Sequence, residues 1–256
     1  MDWIDLSTIK IKKVYRRLLF NRCFICYSKS PFPLCEHCQL GFQINSPSCQ
    51  RCQIPLNATD LLCGQCQTSP PLYQECIAPY RFEGIMKNLI HRIKFQQENH
   101  FIRPITFLLS KHLIDFYSGK TWPEQVIYVP SHPDRIRERG FCQTQIMTTH
   151  LIQYINELSG DTLLSNSHSN QIRKNINTHA QHTLTKKERQ KSPINTYEVI
   201  HPISQHVALF DDVMTTGSTI NACCRLLQKH GAKKIDIWTL ARTPDHENKL
   251  DNTPLN

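Results

Sequence analysis

Four Cys-x-x-Cys pairs dominate the first quarter of this 256-residue chain: Cys23/Cys26, Cys35/Cys38, Cys49/Cys52 and Cys63/Cys66. Gaps of eight, ten and ten residues separate them, room for a short hairpin between neighbours. Two cysteines three positions apart can face one ion across a tight turn, and two such knuckles complete a tetrahedral thiolate site. The segment 20–70 also carries Pro31, Pro33, Pro47, Pro55 and Pro70 and has few residues with which to build an apolar core, so something else must hold it together. With no apolar leader at 1–13, a disulfide framework is the poorer reading and metal ligation the better one. The expectation is one or two structural zinc ions, with all coordination positions taken by sulfur. Sequential pairing would join the first four cysteines and the last four; an interleaved arrangement is also compatible with the spacing, and an iron–sulfur cluster is the competing metal reading. Cys76, Cys142, Cys223 and Cys224 stand outside the pairs, and the adjacent Cys223 and Cys224 read as packing residues in a helix.

Apolar runs reach only about four residues, as at Val207–Phe210, so a membrane-spanning helix of about 20 apolar residues is not expected. Apolar positions spaced among Lys10, Lys12, Lys13, Arg16 and Arg17 suggest a basic amphipathic helix over 3–19. Pro70 and Pro71 mark a boundary. Beyond it the texture alternates: strand 74–82, helices 83–95 and 101–117, strand 125–129, helix 146–158, strand 207–210, helix 221–230 and strand 233–240. That rhythm is the mark of an α/β fold, a parallel sheet flanked by helices. Residues 165–192 are polar, with six basic residues against one acid, and read as a mobile basic loop. The expected organisation is a basic helix (1–19), a small cysteine-rich zinc-ribbon module (20–71), an α/β domain (72–243) and a polar tail (244–256).

Residues 207–219 read Val-Ala-Leu-Phe-Asp-Asp-Val-Met-Thr-Thr-Gly-Ser-Thr. A buried strand delivers Asp211 and Asp212 to its carboxyl end, where α/β sheets bind ligands. Two carboxylates there can accept hydrogen bonds from vicinal ribose hydroxyls. The hydroxyl-rich turn Thr215, Thr216, Gly217, Ser218 and Thr219 then opens a helix whose free N–H groups favour a phosphate. An Asp-ended strand with a Thr-rich cap would explain one acid and one hydroxyl, not the whole set. This stretch resembles the phosphoribosyl pyrophosphate (PRPP) fingerprint of type I phosphoribosyltransferases. In that fold a loop after an earlier strand holds pyrophosphate; Ser131, Arg135, Arg137 and Arg139 follow the strand ending at Val129-Pro130 and are the candidates here.

The cysteine module joined to this motif resembles the ComF family of competence proteins. The resemblance is carried by Arg139-Gly140-Phe141-Cys142-Gln143, by Leu89-Ile90-His91-Arg92-Ile93-Lys94-Phe95, by the spaced Arg173, Thr178, Gln181, Leu184 and Arg189, and by Thr239-Leu240-Ala241-Arg242. It covers roughly residues 20–243. Departures are Cys142 in place of Asn, Ser192 in place of Asn, and Gln97 where Gly often follows the Lys-Phe pair. The resemblance implies a cytoplasmic protein, membrane-proximal at the DNA-uptake machinery, that handles incoming single-stranded DNA in natural transformation. It also implies a pocket for PRPP, with Mg2+ accompanying that ligand.

Charge agrees in sign with a polyanionic partner. The formal net charge is +9, residues 6–35 hold seven basic residues and no acid, and residues 165–192 are net +5. Nucleic-acid candidates are Arg16, Arg17, Arg22, Lys29, Arg173, Lys174, Lys186, Lys187 and Arg189. Phe24, Tyr27, Phe32, Phe42 and Tyr73 are candidate stacking platforms. Two other functions fit the same residues: an active phosphoribosyltransferase, for which no catalytic residue or acceptor is identifiable, and a scaffold on which the zinc module docks uptake or recombination proteins.

Overall fold

The computed structural model describes residues 22–56, 61–165, 171–174 and 197–244. The basic N-terminal segment with Arg16 and Arg17, most of the 165–192 stretch with Lys186, Lys187 and Arg189, and the tail beyond 244 lie outside the described residues.

A parallel sheet forms the centre. Its strands are β1 (Glu75–Ile77) and β2 (Tyr80–Arg81) on one edge, then β7 (Lys234–Arg242), β6 (His206–Met214) and β3 (Gln125–Tyr128). β1 and β2 keep one register against β7, Ile77 opposite Trp238 and Tyr80 opposite Ala241. The single strand expected over 74–82 is therefore interrupted rather than wrong in place: Pro79 has no N–H to give the ladder. Strand β6 runs four residues past the expected Phe210, because Asp211, Val213 and Met214 pair with Thr239, Ala241 and Arg242 of β7.

Alternation along the strands splits the core into two faces. Val126, Ala208, Phe210, Trp238 and Leu240 point to one side. There they meet helices α3 (Gly84–Gln96), α4 (Ile102–Phe116) and α6 (Gln143–Ser159). Ile127, Val207, Leu209, Ile235 and Ile237 point to the other, covered by α7 (Ser218–Lys229) and by Ile172 and Tyr197. Those two residues belong to an antiparallel pair, β4 (Ile172–Lys174) with β5 (Tyr197–Val199). Part of the stretch expected as a mobile loop is thus ordered strand. Cys223 and Cys224, on α7, are fully buried, as packing residues would be. Under the first face, Tyr117 donates to Asp236 (2.7 Å), which also meets His206 Nε2 (2.8 Å), while Trp238 Nε1 donates to the Tyr117 hydroxyl (3.1 Å).

The cysteine-rich segment is divided between the faces. Cys23, Leu34 and Phe42 join the core of the α3–α4–α6 side, whereas Cys49, Cys52 and Cys66 join the core of the α7 side. The linker between the two halves lies along the sheet edge: Asn45 N–H donates to the Pro79 carbonyl (2.8 Å), and Arg81 N–H to the Gln43 carbonyl (3.0 Å). The Asn45 side chain adds a bond to the Ala78 carbonyl (2.9 Å). Edge backbone that could pair with another chain is covered in this way.

Candidate functional site

Two four-cysteine clusters form. The sulfurs of Cys23, Cys26, Cys35 and Cys38 all lie within 4.8 Å of one another, and so do those of Cys49, Cys52, Cys63 and Cys66. The sequential pairing is the one the fold makes. Zinc–sulfur bonds of about 2.3 Å in a tetrahedron put sulfurs roughly 3.8 Å apart. The Cys26–Cys35 and Cys52–Cys63 separations are both 3.6 Å. Backbone N–H groups of Ile25, Cys38 and Cys63 point at the sulfurs of Cys23, Cys35 and Cys49 at 3.3–3.4 Å, the outer-shell bonds that suit a bound thiolate. Both clusters could therefore hold zinc, with four sulfur donors and no open position.

The clusters are built alike. In each, the first pair is a knuckle whose next residue, Tyr27 or Gln53, takes a left-handed backbone (φ 60° and 56°). Its N–H then returns to the carbonyl of Cys23 or Cys49 at 3.0 and 2.9 Å. In each, the second pair opens a five-residue helix, α1 (Glu36–Leu40) or α2 (Gly64–Thr68), from an N-cap Cys35 or Cys63. Even the clasp recurs: Gln39 Nε2 donates to the Leu34 carbonyl at 3.0 Å, and Gln67 Nε2 to the Leu62 carbonyl at 3.1 Å. The internal repeat, seen in the sequence only as cysteine spacing, extends to these capping residues.

At the carboxyl ends of β3 and β6 several elements converge. Alternation sends the adjacent acids Asp211 and Asp212 to opposite sides of the sheet. Asp212 is buried and accepts an ion pair from Lys94 Nζ, at the end of α3, at 2.6 Å. Asp211 is pushed up to about 8, first by burial and then by the charge of Asp212, with Lys94 and Lys174 opposing. Lys174, on β4, is itself held below the usual lysine range by burial and by Arg135, while Cys223 and Asp211 pull the other way. The amino end of α6 ties these parts together. Gln143 Nε2 donates to the Ile93 carbonyl (2.8 Å), and Thr144 Oγ1 to the Val129 carbonyl (2.7 Å).

The turn 215–219 leads into α7 with Gly217 as N-cap, at φ 74° and with no side chain capping the helix. That left-handed backbone angle favours glycine, while a Cβ there would meet only the mobile tip of Met214 (Cε at 2.8 Å). Thr215, Thr216 and Ser218 are exposed, and Thr216 Oγ1 donates to Ser218 Oγ (3.1 Å). The Ser218 N–H makes a long bond to Thr216 Oγ1 (3.4 Å); the other N–H groups of the helix start, beside hydroxyls, suit a phosphate.

One side chain connects this turn to the second cluster. Arg242, at the end of β7, is 3% exposed. Its Nε donates to the Cys52 carbonyl (3.1 Å), and its Nη1 donates to the carbonyls of Met214 (2.9 Å) and Thr215. A buried guanidinium satisfied by carbonyls on both sides is a rigid strut between them.

The sequence candidates distribute unevenly. Residues 133–139, expected as a loop holding pyrophosphate, form helix α5 (Pro133–Arg139), because Pro133 suits its first turn, His132 caps it and Gly140 ends it at φ 80°. Arg137 is exposed and pairs with Asp134 (3.2 Å); Arg139 donates to Gln143 (3.0 Å) and lies 5.7 Å from the Phe95 ring. Ser131 Oγ faces Cys142 Sγ at 3.6 Å. Arg22 donates to the Tyr27 carbonyl (3.2 Å), and Arg173 pairs with Glu198. Among the stacking candidates, Phe42 and Tyr73 are buried in the cores and Phe32 stacks on Phe107, 5.3 Å between centroids; Tyr27 is well exposed. The inventory of candidate residues omits Lys94 and Arg242. Lys94 meets Asp212 across more than a hundred residues, and Arg242 meets Cys52 across 190 and Met214 across 28, so local spacing carries no trace of either; both do sit in the stretches that carry the family resemblance.

A family model described as a phosphoribosyl transferase domain matches residues 167–256. The chain is 31% identical over 160 residues to Competence protein F of Haemophilus influenzae, covering 60% of this chain and 66% of that one. It is 28% identical over 169 residues to Competence protein ComFC of Streptococcus pneumoniae, covering 64% and 67%. It is 25% identical over 177 residues to DNA utilization protein YhgH of Escherichia coli K12, covering 68% and 74%. Among the described residues no helix is long and apolar enough to cross a membrane.

Proposed function

We propose that this chain, which belongs to the ComF family of competence proteins, handles incoming single-stranded DNA in the cytoplasm during natural transformation and carries a PRPP-type ribose-phosphate pocket. The family supports a competence-associated role, and relatives named for DNA utilization point the same way.

The observation that carries the pocket is the convergence at one end of the sheet. Asp211 and Asp212, the uncapped turn before α7, and the cations Lys94, Lys174 and Arg135 all belong to that end. In this reading the turn holds the 5′-phosphate through its N–H groups and hydroxyls. Asp211 meets the ribose hydroxyls. The cations face the pyrophosphate end, and Lys94 holds Asp212 in place through their 2.6 Å ion pair. Mg2+ accompanying that ligand would offset its negative charge. Zinc in both clusters would fix the knuckles that pack against the sheet; in the second it would anchor the backbone that Arg242 grips.

The DNA half of the proposal is tested by gel shift. The zinc-loaded protein should retard a single-stranded oligonucleotide at low salt and release it as salt rises. Absence of any shift at low salt would refute it. An active transferase is the competing reading of the same pocket; pyrophosphate released from PRPP in the presence of nucleobases, amines or DNA would favour it.

A further inference from the structure

A cleft of about 570 Å³ opens between the second cysteine cluster and helix α7. This is within the roughly 300–1,000 Å³ typical of small-molecule sites. It lies on the outer side of α7, away from the buried Ile220, Cys223 and Leu227 that face the sheet. Thr216, of the turn before α7, is part of its lining, as is Arg242.

Its chemistry is one-sided. Arg225, Lys229 and Arg242 contribute three cations, and the lining contains no aspartate or glutamate. Arg242 is already satisfied by carbonyls, but the other two have no ion-pair partner among the described residues. The Nε of Arg225 is buried without a hydrogen-bond partner. A guanidinium N–H left unpaired is costly, and Arg225 turning toward an anionic oxygen in the cleft would pair it. Asn221, Arg225 and Lys229 are spaced i, i+4, i+8 and so form one stripe along α7, about 12 Å from end to end at 1.5 Å per residue. The opposite wall, at Pro70, Pro71 and Leu72, is apolar, and Gln228 Nε2 fastens it to α7 through the Leu72 carbonyl (3.0 Å).

We propose that this cleft binds a nucleotide: its phosphate on Arg225 and Lys229, its base against the Pro70–Leu72 wall. That nucleotide is either free or one unit of a DNA strand lying beside α7, and only the second form rests on the DNA-handling reading above. The site adjoins the strand-end pocket, sharing Thr216 with it, but Arg225 and Lys229 come from the outer side of the helix.

The test uses the zinc-loaded full chain with two probes, a labelled oligodeoxythymidylate and free dTMP. Anisotropy across a salt series reads the first, and thermal stabilisation reads the second. For the strand form, Arg225→Ala with Lys229→Ala weakens the oligonucleotide about tenfold and lowers the slope of log K against log salt by about 1.4, about 0.7 per lost charge. The exposed Lys229→Glu, which leaves the core untouched, weakens it in the same direction, and Arg225→Lys with Lys229→Arg restores most of the affinity. For the free form, dTMP stabilises the wild type and not the double variant. Oligonucleotide binding that is equal in wild type and variants, with no dTMP stabilisation, overturns the cleft proposal while leaving the DNA reading standing. A wild type that binds neither probe overturns both.

Discussion

The two cysteine clusters are near copies inside and different outside. Each pairs a left-handed knuckle with a cysteine-capped five-residue helix and a glutamine clasp. The first rests on the helical layer: Lys111 of α4 donates to Gln39 (2.9 Å), and a Cβ on Gly41 would lie 2.7 Å from Ile85 of α3. Its Cys26 is exposed, whereas Cys49, Cys52 and Cys66 of the second are buried. The second is tied through Arg242 to the turn that opens α7. One local design thus does two jobs. The first braces a helical face; the second is part of the framework of the candidate phosphate turn.

Breaking one ligand in each cluster tests this contrast most severely. Cys66→Ser should lower unfolding free energy by more than about 4 kcal/mol and abolish PRPP-dependent stabilisation. Cys26→Ser, at the exposed edge of the first, should leave that stabilisation within about twofold; thermal melts of both variants, with zinc content measured, decide. Equal loss in both would erase the distinction between the clusters.

Lys94→Met acts on the first cluster's side of the sheet, where it strands the buried Asp212 charge. The expected cost is about 3–5 kcal/mol by chemical denaturation, and Lys94→Met with Asp212→Asn should recover much of it. Arg242→Met acts on the second side. It removes the donors to Cys52, Met214 and Thr215 at a cost of about 2–4 kcal/mol, with ligand affinity falling while zinc content holds. If affinity held and only stability fell, the strut would be structural alone.

The smallest effect is in pH. Asp211 is raised by burial from 3.8 to about 8, so folding favours its neutral form. Its contribution is fully present below the unfolded value and is lost as pH rises from about 4 through about 8. Asp211→Asn should flatten that part of the stability profile. A wild-type profile already flat across the window would put Asp211 in the ordinary carboxylate range.

Much of this was legible in the sequence because it is local. Cys-x-x-Cys spacing specifies a knuckle within a few residues, and strand alternation sorts Val207 to Phe210 between faces without help from elsewhere. The turn 215–219 announces itself for the same reason. What stayed hidden depends on distant pairing. Strand β6 continues through Asp211 and Asp212 only because β7 lies beside it, and that continuation sends the two acids to opposite sides. Lys94 and Arg242 gain meaning only when α3 and β7 reach β6. Residues 133–139 look like a basic loop by composition, yet a proline start and a glycine stop make them a helix. Gln97, a departure from the family pattern, ends α3 with φ 58°, the left-handed angle that glycine would take more cheaply.

The most direct test of the pocket is thermal unfolding of the zinc-loaded protein with and without Mg-PRPP. Ligand at 100 times its Kd should add about 2.7 kcal/mol. At about 2–4 °C per kcal/mol, this raises Tm by roughly 5–11 °C. Asp211→Asn combined with Gly217→Ala should abolish the rise. An unchanged Tm for the wild type in millimolar Mg-PRPP would contradict the account.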